Sequence, residues 1–493
     1  MEENKETVTI GFEKVPLKSE REEKHKKIIK IVLTIVLSIV LLIVGFCMGY
    51  YFVYRMHPTN KADAANTMGE IEAVLDRYWI YNDNHDELQK ELEDKAFYGM
   101  TKFEEDPYTT YMSAKELEEF ASGINMDFVG VGIQYSVTNG SAIINRVFVN
   151  SPAYKAGLQA GDIILKIGDT SVEGLSTEEI KQLALGEEGS EVIITVNREN
   201  EILDIKVIRA PIDTSVYCYT QDDYVVMELS SFGSETAKEC ISYLNQYSDY
   251  SKIIIDLRNN SGGYQTSVKE IAGLFIGNSK VYLRQKDSNG NEVADVTSCK
   301  YTYDNFDNIV LLVNGETASA AEVFTICLKE SLDNVTIVGE KTYGKGVIQS
   351  TRYLLNGGVL KYSSFYWYSP NGVSIHKVGI KPDVETLRHN VAYCRYVDMP
   401  ADVTYTYDSV SEVIGLCQKA FDYFGYKVDR TDGYFDSSTL AALNAYKQSI
   451  KLDPDGILDK QTYDNIIGKV ILDLSNLEKD EQFQRAIEIV KKW

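Results

Sequence analysis

Two apolar runs, Ile253-Ile254-Ile255 and Ile309-Val310-Leu311-Leu312-Val313, constrain this chain most, because each reads as a buried strand. The first leads through Asp256-Leu257-Arg258 into the glycine-rich turn Asn259-Asn260-Ser261-Gly262-Gly263-Tyr264. The second is followed by a helix expected over 318–328, so Ser319 falls where a strand has ended and a helix begins. Residues 211–390 continue to alternate β-rich runs and helices, which is an α/β pattern.

A serine at such a junction is most often a helix cap. What gives Ser319 weight is its company. It stands in Asn314-Gly315-Glu316-Thr317-Ala318-Ser319-Ala320-Ala321-Glu322, and Gly344-Lys345-Gly346-Val347-Ile348-Gln349 follows. A hydroxyl is a poor nucleophile until a positioned base takes its proton. A lysine can serve if its pKa falls from about 10.4 toward roughly 7 to 8, a change worth roughly 4 kcal/mol of solvation preference. Val335, Ile337, Val338, Val347 and Ile348 surround Lys345 in sequence and could supply the apolar pocket this requires. The Gln349 amide could orient the amine, as the third member of a triad does. A helix N-terminus at Ser319 would aim partial positive charge and free N–H groups at a developing oxyanion. The turn at Gly262 and Gly263 can form an anion nest of backbone N–H groups, and is equally readable as a tight strand-to-helix turn.

Competing motifs fail on particular residues. The five histidines are His25, His57, His85, His376 and His389, and none stands in a triad context. Gly339-Glu340-Lys341-Thr342-Tyr343-Gly344-Lys345 has the spacing of a phosphate-binding loop, but Gly346 replaces the hydroxyl residue that would hold magnesium. Gly130-Val131-Gly132 lacks the third glycine of a dinucleotide fingerprint, Tyr135 standing in its place. Six of the seven cysteines lie outside the apolar N-terminal stretch without paired spacing, which supports neither a zinc site nor a disulfide framework. No metal or organic cofactor is expected. A formal net charge of −23 disfavours nucleic acid as a partner.

Location is carried by one segment. Residues 31–54 are almost wholly apolar and, at about 1.5 Å per residue, long enough to cross a hydrocarbon core of about 30 Å. Lys24, Lys26, Lys27 and Lys30 precede it, so residues 1–30 are expected in the cytoplasm and everything after the span outside. No small-residue cleavage site follows, which reads as an uncleaved signal anchor.

Beyond the span, residues 64–122 carry helical periodicity interrupted by Asp106-Pro107-Tyr108. Residues 126–210 turn to short strands, with Phe128-Val129-Gly130-Val131-Gly132-Ile133 followed by Ser151-Pro152-Ala153-Tyr154-Lys155-Ala156-Gly157-Leu158-Gln159-Ala160-Gly161-Asp162-Ile163-Ile164. This stretch resembles a PDZ domain. The resemblance implies that the loop N–H groups at Gly130, Val131 and Gly132 take the carboxylate of a peptide added as a strand. Residues 409–470 hold two related turns, Asp432-Gly433-Tyr434-Phe435-Asp436 and Asp455-Gly456-Ile457-Leu458-Asp459, each leading into a helix that Asp436 or Asp459 can cap. They resemble a peptidoglycan-binding domain. Residues 471–493 read as a terminal amphipathic helix.

Taken together, residues 64–390 resemble a C-terminal processing peptidase, or tail-specific protease, which joins a helical region, a PDZ domain and a Ser/Lys protease core. The resemblance matches Ser319 to the nucleophile, Lys345 to the general base and Gln349 to its orienting residue. Gly262 or Gly263, with Ala320, match the backbone donors of the oxyanion hole. The usual Asn-Pro-Gly-Gly turn reads Asn260-Ser261-Gly262-Gly263 here, and Ala321 replaces a second serine. The expectation is a multidomain α/β protein: transmembrane helix, helical segment, PDZ domain (126–210), α/β serine protease core (211–390) and small α-helical C-terminal domain. It would be an envelope endopeptidase acting on proteins with exposed C-terminal tails, attached to the membrane and bound to peptidoglycan, with a homodimer implied by the family. The rivals are a non-catalytic scaffold using the same binding modules and a hydrolase acting on the wall itself.

Overall fold

The computed structural model describes residues 26–27, 29–30, 32–34, 36–42, 44, 61–79, 85–125, 128–138, 141–198, 201–212, 215–397 and 399–492. The chain divides into two compact units, 1–96 and 97–493. In the first, the expected membrane span 31–54 lies in large part outside the described residues. Those described within it are helical and exposed, and no helix among the described residues is long and apolar enough to cross a membrane. The expectation of a transmembrane helix therefore gains no support from the structure. The helix Lys61–Tyr78 follows.

The second unit is built on a six-stranded sheet ordered Val216–Gln221, Tyr224–Leu229, Lys252–Asp256, Asn308–Val313, Val335–Gly339, Val384–Glu385. All neighbours are parallel except the first pair. The continuous apolar runs follow from burial on both faces, since alternate residues of a strand point opposite ways. Ile253, Ile255, Ile309, Leu311 and Val313 share one core with residues of the helices Thr236–Gln246, Gln265–Ile276 and Ala320–Ser331. Ile254, Val310, Leu312 and Val338 face the other way, onto Phe483, Ala486, Ile489 and Val490. The terminal helix Glu481–Val490 is thus the back layer of the central sheet.

A second sheet, antiparallel throughout, stands beside the first. Its long strand Val359–Tyr368 pairs with Val347–Tyr353, Val281–Asp287 and the short strand Thr110–Met112, and Glu292–Val296 flanks Val281–Asp287. The region expected to be helical over 64–122 therefore also contributes a strand. It lies between the helices His85–Met100 and Ala114–Asn125.

Residues 129–211 form a six-stranded antiparallel sheet and a two-stranded one, Val129–Gly130 with Ala210–Pro211, with the helices Pro152–Ala156 and Thr177–Ala184 around their own apolar core. The C-terminal domain holds the helices Glu412–Tyr423, Ser437–Ser449 and Lys460–Ser475. Asp436 and Asp459 cap the latter two, each accepting a backbone N–H three residues on at 2.8 Å. The helix Lys460–Ser475 runs past residue 470, and its Ile466, Ile467 and Val470 share a core with Ile143 and Ile163 of the domain spanning 129–211. Gly468 makes this contact possible, because a Cβ there would lie 2.5 Å from the Gly161 carbonyl oxygen.

Gly468→Ala tests that packing. Alanine should gain about 1 kcal/mol of helix propensity over glycine, against an overpacking cost of about 1–3 kcal/mol. We expect a net fall in the stability of the full chain to urea; a rise would mean the two backbones do not meet there.

Candidate active site

The central sheet delivers three loops to one edge. The strands Lys252–Asp256, Asn308–Val313 and Val335–Gly339 are adjacent and parallel, so the segments 257–263, 314–319 and 340–346 all leave from their C-terminal ends. The first two are tied together: Thr317 Oγ1 donates to the Leu257 carbonyl at 2.9 Å, the Ala318 N–H to the Asn260 carbonyl at 3.0 Å, and the Asn259 N–H to Asn314 Oδ1 at 3.0 Å.

These ties hold Ser319 in a conformation that serine rarely adopts, with φ 57° and ψ −121°. Such backbone costs of order 1–3 kcal/mol and persists only where the surroundings impose it. The Ser319 N–H donates to Glu322 Oε2 at 2.9 Å. Ala320 opens the helix, so its N–H has no partner within that helix.

The glycine turn closes on the same point. Gly262, at φ 106°, lies so near that a Cβ would come within 2.9 Å of both the Ala320 nitrogen and Ser319 Cβ. A side chain there would fill the space in front of the Ala320 N–H. The Gly262 N–H itself donates to Asn260 Oδ1 at 2.8 Å, while that of Gly263 makes no hydrogen bond among the described residues. Of the three expected oxyanion donors, Gly263 and Ala320 are therefore the ones whose N–H groups are available.

Glu322 joins the segment of Ser319 to that of Lys345. Fully buried, it accepts from the Ser319 N–H, Thr342 Oγ1 (2.6 Å), the Gly344 N–H (2.7 Å) and the Lys345 N–H (2.9 Å). Burial raises its carboxyl above the ordinary range, against the lowering effect of these donors. From the far side, the Trp367 indole N–H donates to the Lys345 carbonyl at 2.8 Å. The Lys345 backbone is thus held on both faces.

The Lys345 side chain points into the site, with Nζ 4.6 Å from the centroid of the Tyr108 ring. Tyr108 is presented by the turn at Asp106, whose carboxylate accepts from the Tyr108 N–H at 3.1 Å and from Ser363 Oγ at 3.0 Å. Burial first, and the nearby Lys361 second, bring the Lys345 ammonium down to about 8; Glu322 and Asp106 oppose them. The apolar pocket differs from the one expected. Val347 and Ile348 line it, but Val335 and Ile337 face the front core of the central sheet and Val338 the back. Their place is taken by Tyr108 and Trp367. Gln349 donates to Ser363 Oγ at 3.3 Å, and among the described residues neither it nor Ser319 hydrogen-bonds to Lys345 Nζ.

A single cavity of about 1600 Å³ collects every site residue expected from sequence. Ser319, Lys345, Gln349, Gly262, Gly263 and Ala320 line one part, and Gly130, Val131 and Gly132 another. Among the described residues no group of histidine, cysteine or acidic side chains could hold a metal ion. Sequence reasoning missed Glu322, Tyr108 and Trp367 as contributors. Only Glu322 left a local signal, three residues after the serine.

Glu322→Ala would leave buried donors unpaired at a cost of order 1–3 kcal/mol each. We expect a loss of at least about 3 kcal/mol in unfolding free energy for the full chain, measured by urea denaturation. A change below about 1 kcal/mol would show that the donors find water instead.

Comparison with known proteins matches residues 223–386 to peptidase family S41, 143–198 to a PDZ domain and 411–466 to a peptidoglycan binding domain. The chain is 31% identical over 448 residues to the "Probable CtpA-like serine protease" of Staphylococcus aureus strain bovine RF122, covering 90% of this chain and 88% of the relative. It is 32% identical over 407 residues to the "Carboxy-terminal processing protease CtpA" of Bacillus subtilis strain 168, covering 81% and 85%. A solved photosystem II D1 C-terminal processing protease matches with a TM-score of 0.41 at 24% identity, over 65% of this chain and 92% of that one. The chain therefore belongs to peptidase family S41, as a serine-type carboxy-terminal processing protease with a PDZ domain and a peptidoglycan-binding domain.

Proposed function

We propose that this protease uses Ser319 as nucleophile and Lys345 as general base, and takes substrates by C-terminal tails seated in the PDZ groove. The observation that carries this reading is the shared cavity, in which Gly130, Val131 and Gly132 line the same space as Ser319 and Lys345. A tail added as a strand beside the PDZ loop would reach the serine without leaving that space.

In the proposed reaction Ser319 Oγ attacks a peptide carbonyl while neutral Lys345 takes its proton. The N–H groups of Gly263 and Ala320 stabilise the oxyanion. The Lys345 ammonium then protonates the leaving amine, and the same base activates water to hydrolyse the acyl-enzyme. Gln349, through Ser363 and Asp106, fixes the wall against which Lys345 moves. We further propose that residues 31–54 anchor the chain in a membrane with the catalytic domain outside, on the strength of their apolar composition and the lysines before them. The C-terminal domain would then hold the enzyme against the wall.

The full chain should cleave an unfolded protein bearing an apolar C-terminus, and Ser319→Ala and Lys345→Ala should each lower kcat/KM by at least about 10³-fold. Cleavage surviving in Ser319→Ala would remove the serine from the mechanism. Since the base must be neutral, kcat/KM should rise with pH and level off above about 8. Lys361→Met removes a positive neighbour, so it should raise the Lys345 pKa and move the midpoint of that profile to higher pH. A midpoint that stays or falls would mean that Lys361 does not act on the base.

A further inference from the structure

The N-terminal end of the terminal helix touches the stems of both catalytic loops. Arg258 follows the strand Lys252–Asp256 and stands immediately before the turn that ends in Gly262 and Gly263. Its side chain, only 9% exposed, places the guanidinium between two carboxylates, with Nη2 donating to Asp256 Oδ2 at 2.7 Å and Nη1 to Asp480 Oδ2 at 2.6 Å. The other Asp480 oxygen accepts from the N–H groups of Gln482 and Phe483, at 3.0 Å each, and so caps the helix. Gln482, fully buried, accepts from Arg258 Nη1 at 3.3 Å and donates to Glu340 Oε1 at 2.5 Å and to the Thr386 carbonyl at 2.9 Å. Glu340 is the first residue of the loop that carries Lys345.

We propose that Asp480 and Gln482 are positioning residues of the active site: Asp480 fixes the oxyanion loop through Arg258, and Gln482 fixes the base loop through Glu340. Packing alone does not call for them. Phe483, Ala486, Ile489 and Val490 already seal the back of the sheet. A buried ion triad is at best neutral for stability beside apolar side chains of similar volume. What the polar cluster adds is direction at the roots of two loops whose tips must agree in position, and a misplacement of about 1 Å at a reacting group costs on the order of 10²-fold in rate. The segment also continues from the helix Lys460–Ser475 through residues 476–479, so the C-terminal domain ends in a part of the catalytic framework.

The proposal rests on the Ser319 and Lys345 reading, and its test separates the two. In the full chain, assayed on a fluorogenic peptide, Asp480→Asn should lower kcat about 10- to 100-fold while KM stays within about twofold. Asp480→Glu should recover part of the loss. Phe483→Leu serves as control, since it loosens the same helix without touching Arg258. It should keep kcat at a thermal midpoint lowered as far as that of Asp480→Asn. Native kcat in Asp480→Asn, or an equal loss in Phe483→Leu at the same midpoint, overturns the proposal. Should Asp480→Asn not fold, Gln482→Met, which removes the Glu340 contact, carries the same expectation, and native kcat there overturns it. Activity surviving in Ser319→Ala would instead overturn the parent reading, whatever Asp480 does.

Discussion

The site depends on a single buried carboxylate. Glu322 is the group that touches both the backbone of Ser319 and that of Lys345, and it adds Thr342 and Gly344 to the same bond set. An ionised carboxylate taken out of water costs several kcal/mol, which only full hydrogen bonding can offset. Here the donors are mostly backbone N–H groups, so they cannot rotate away and the geometry is fixed in return. The charge has a second effect on the Lys345 side chain, since a nearby anion favours the ammonium. Burial and Lys361 act the other way and prevail, leaving Lys345 near 8. The balance lets one carboxylate hold the lysine's main chain without locking its side chain in the charged form.

The location of that carboxylate follows from the sheet. In an open parallel sheet the functional crevice forms beyond the C-terminal ends of the strands. Three adjacent strands release their loops there, and Lys345 arrives on the segment that crosses from the central sheet into the antiparallel one. The site is therefore a seam between two sheets. The seam explains why the short strand Thr110–Met112 matters. By pairing with Val359–Tyr368 it brings the Asp106 turn, and with it Tyr108, over Lys345.

How much of this could be read in advance varied with the range of the interaction. The strand at 309–313 and the one ending at Asp256 were legible because burial on both faces leaves an unbroken apolar run, which needs no knowledge of the partner. Asp436 and Asp459 were legible as caps for the same reason, since a cap acts within three residues. Ser319 and Lys345 were legible as a pair of residue types. What remained hidden was set by contacts between distant segments. Glu322 reads locally as half of a capping box, and nothing near it announces Thr342 or Lys345. Arg258 and Asp480 are 222 residues apart. The valines and isoleucine at 335–338 misled because proximity in sequence was taken for proximity in space; a strand sends those side chains into the cores on its two faces.

The resting position of Lys345 Nζ bears on how the base is used in the Ser/Lys reaction proposed above. A ring face attracts an ammonium by about 0.5–2 kcal/mol and has no comparable hold on a neutral amine. Tyr108 therefore competes with Ser319 for the lysine only while the lysine is protonated. Loss of that proton frees Nζ to turn toward the hydroxyl and makes it able to accept from it, so the charge state that permits catalysis is also the one that releases the side chain. The same asymmetry applies in reverse after proton transfer, when the new ammonium is attracted to the ring until it gives its proton to the leaving amine. Catalytic hydrogen bonds that are open in a substrate-free site and close only with substrate are common. In this seam the opening has a named cause, a tyrosine carried there by a three-residue strand.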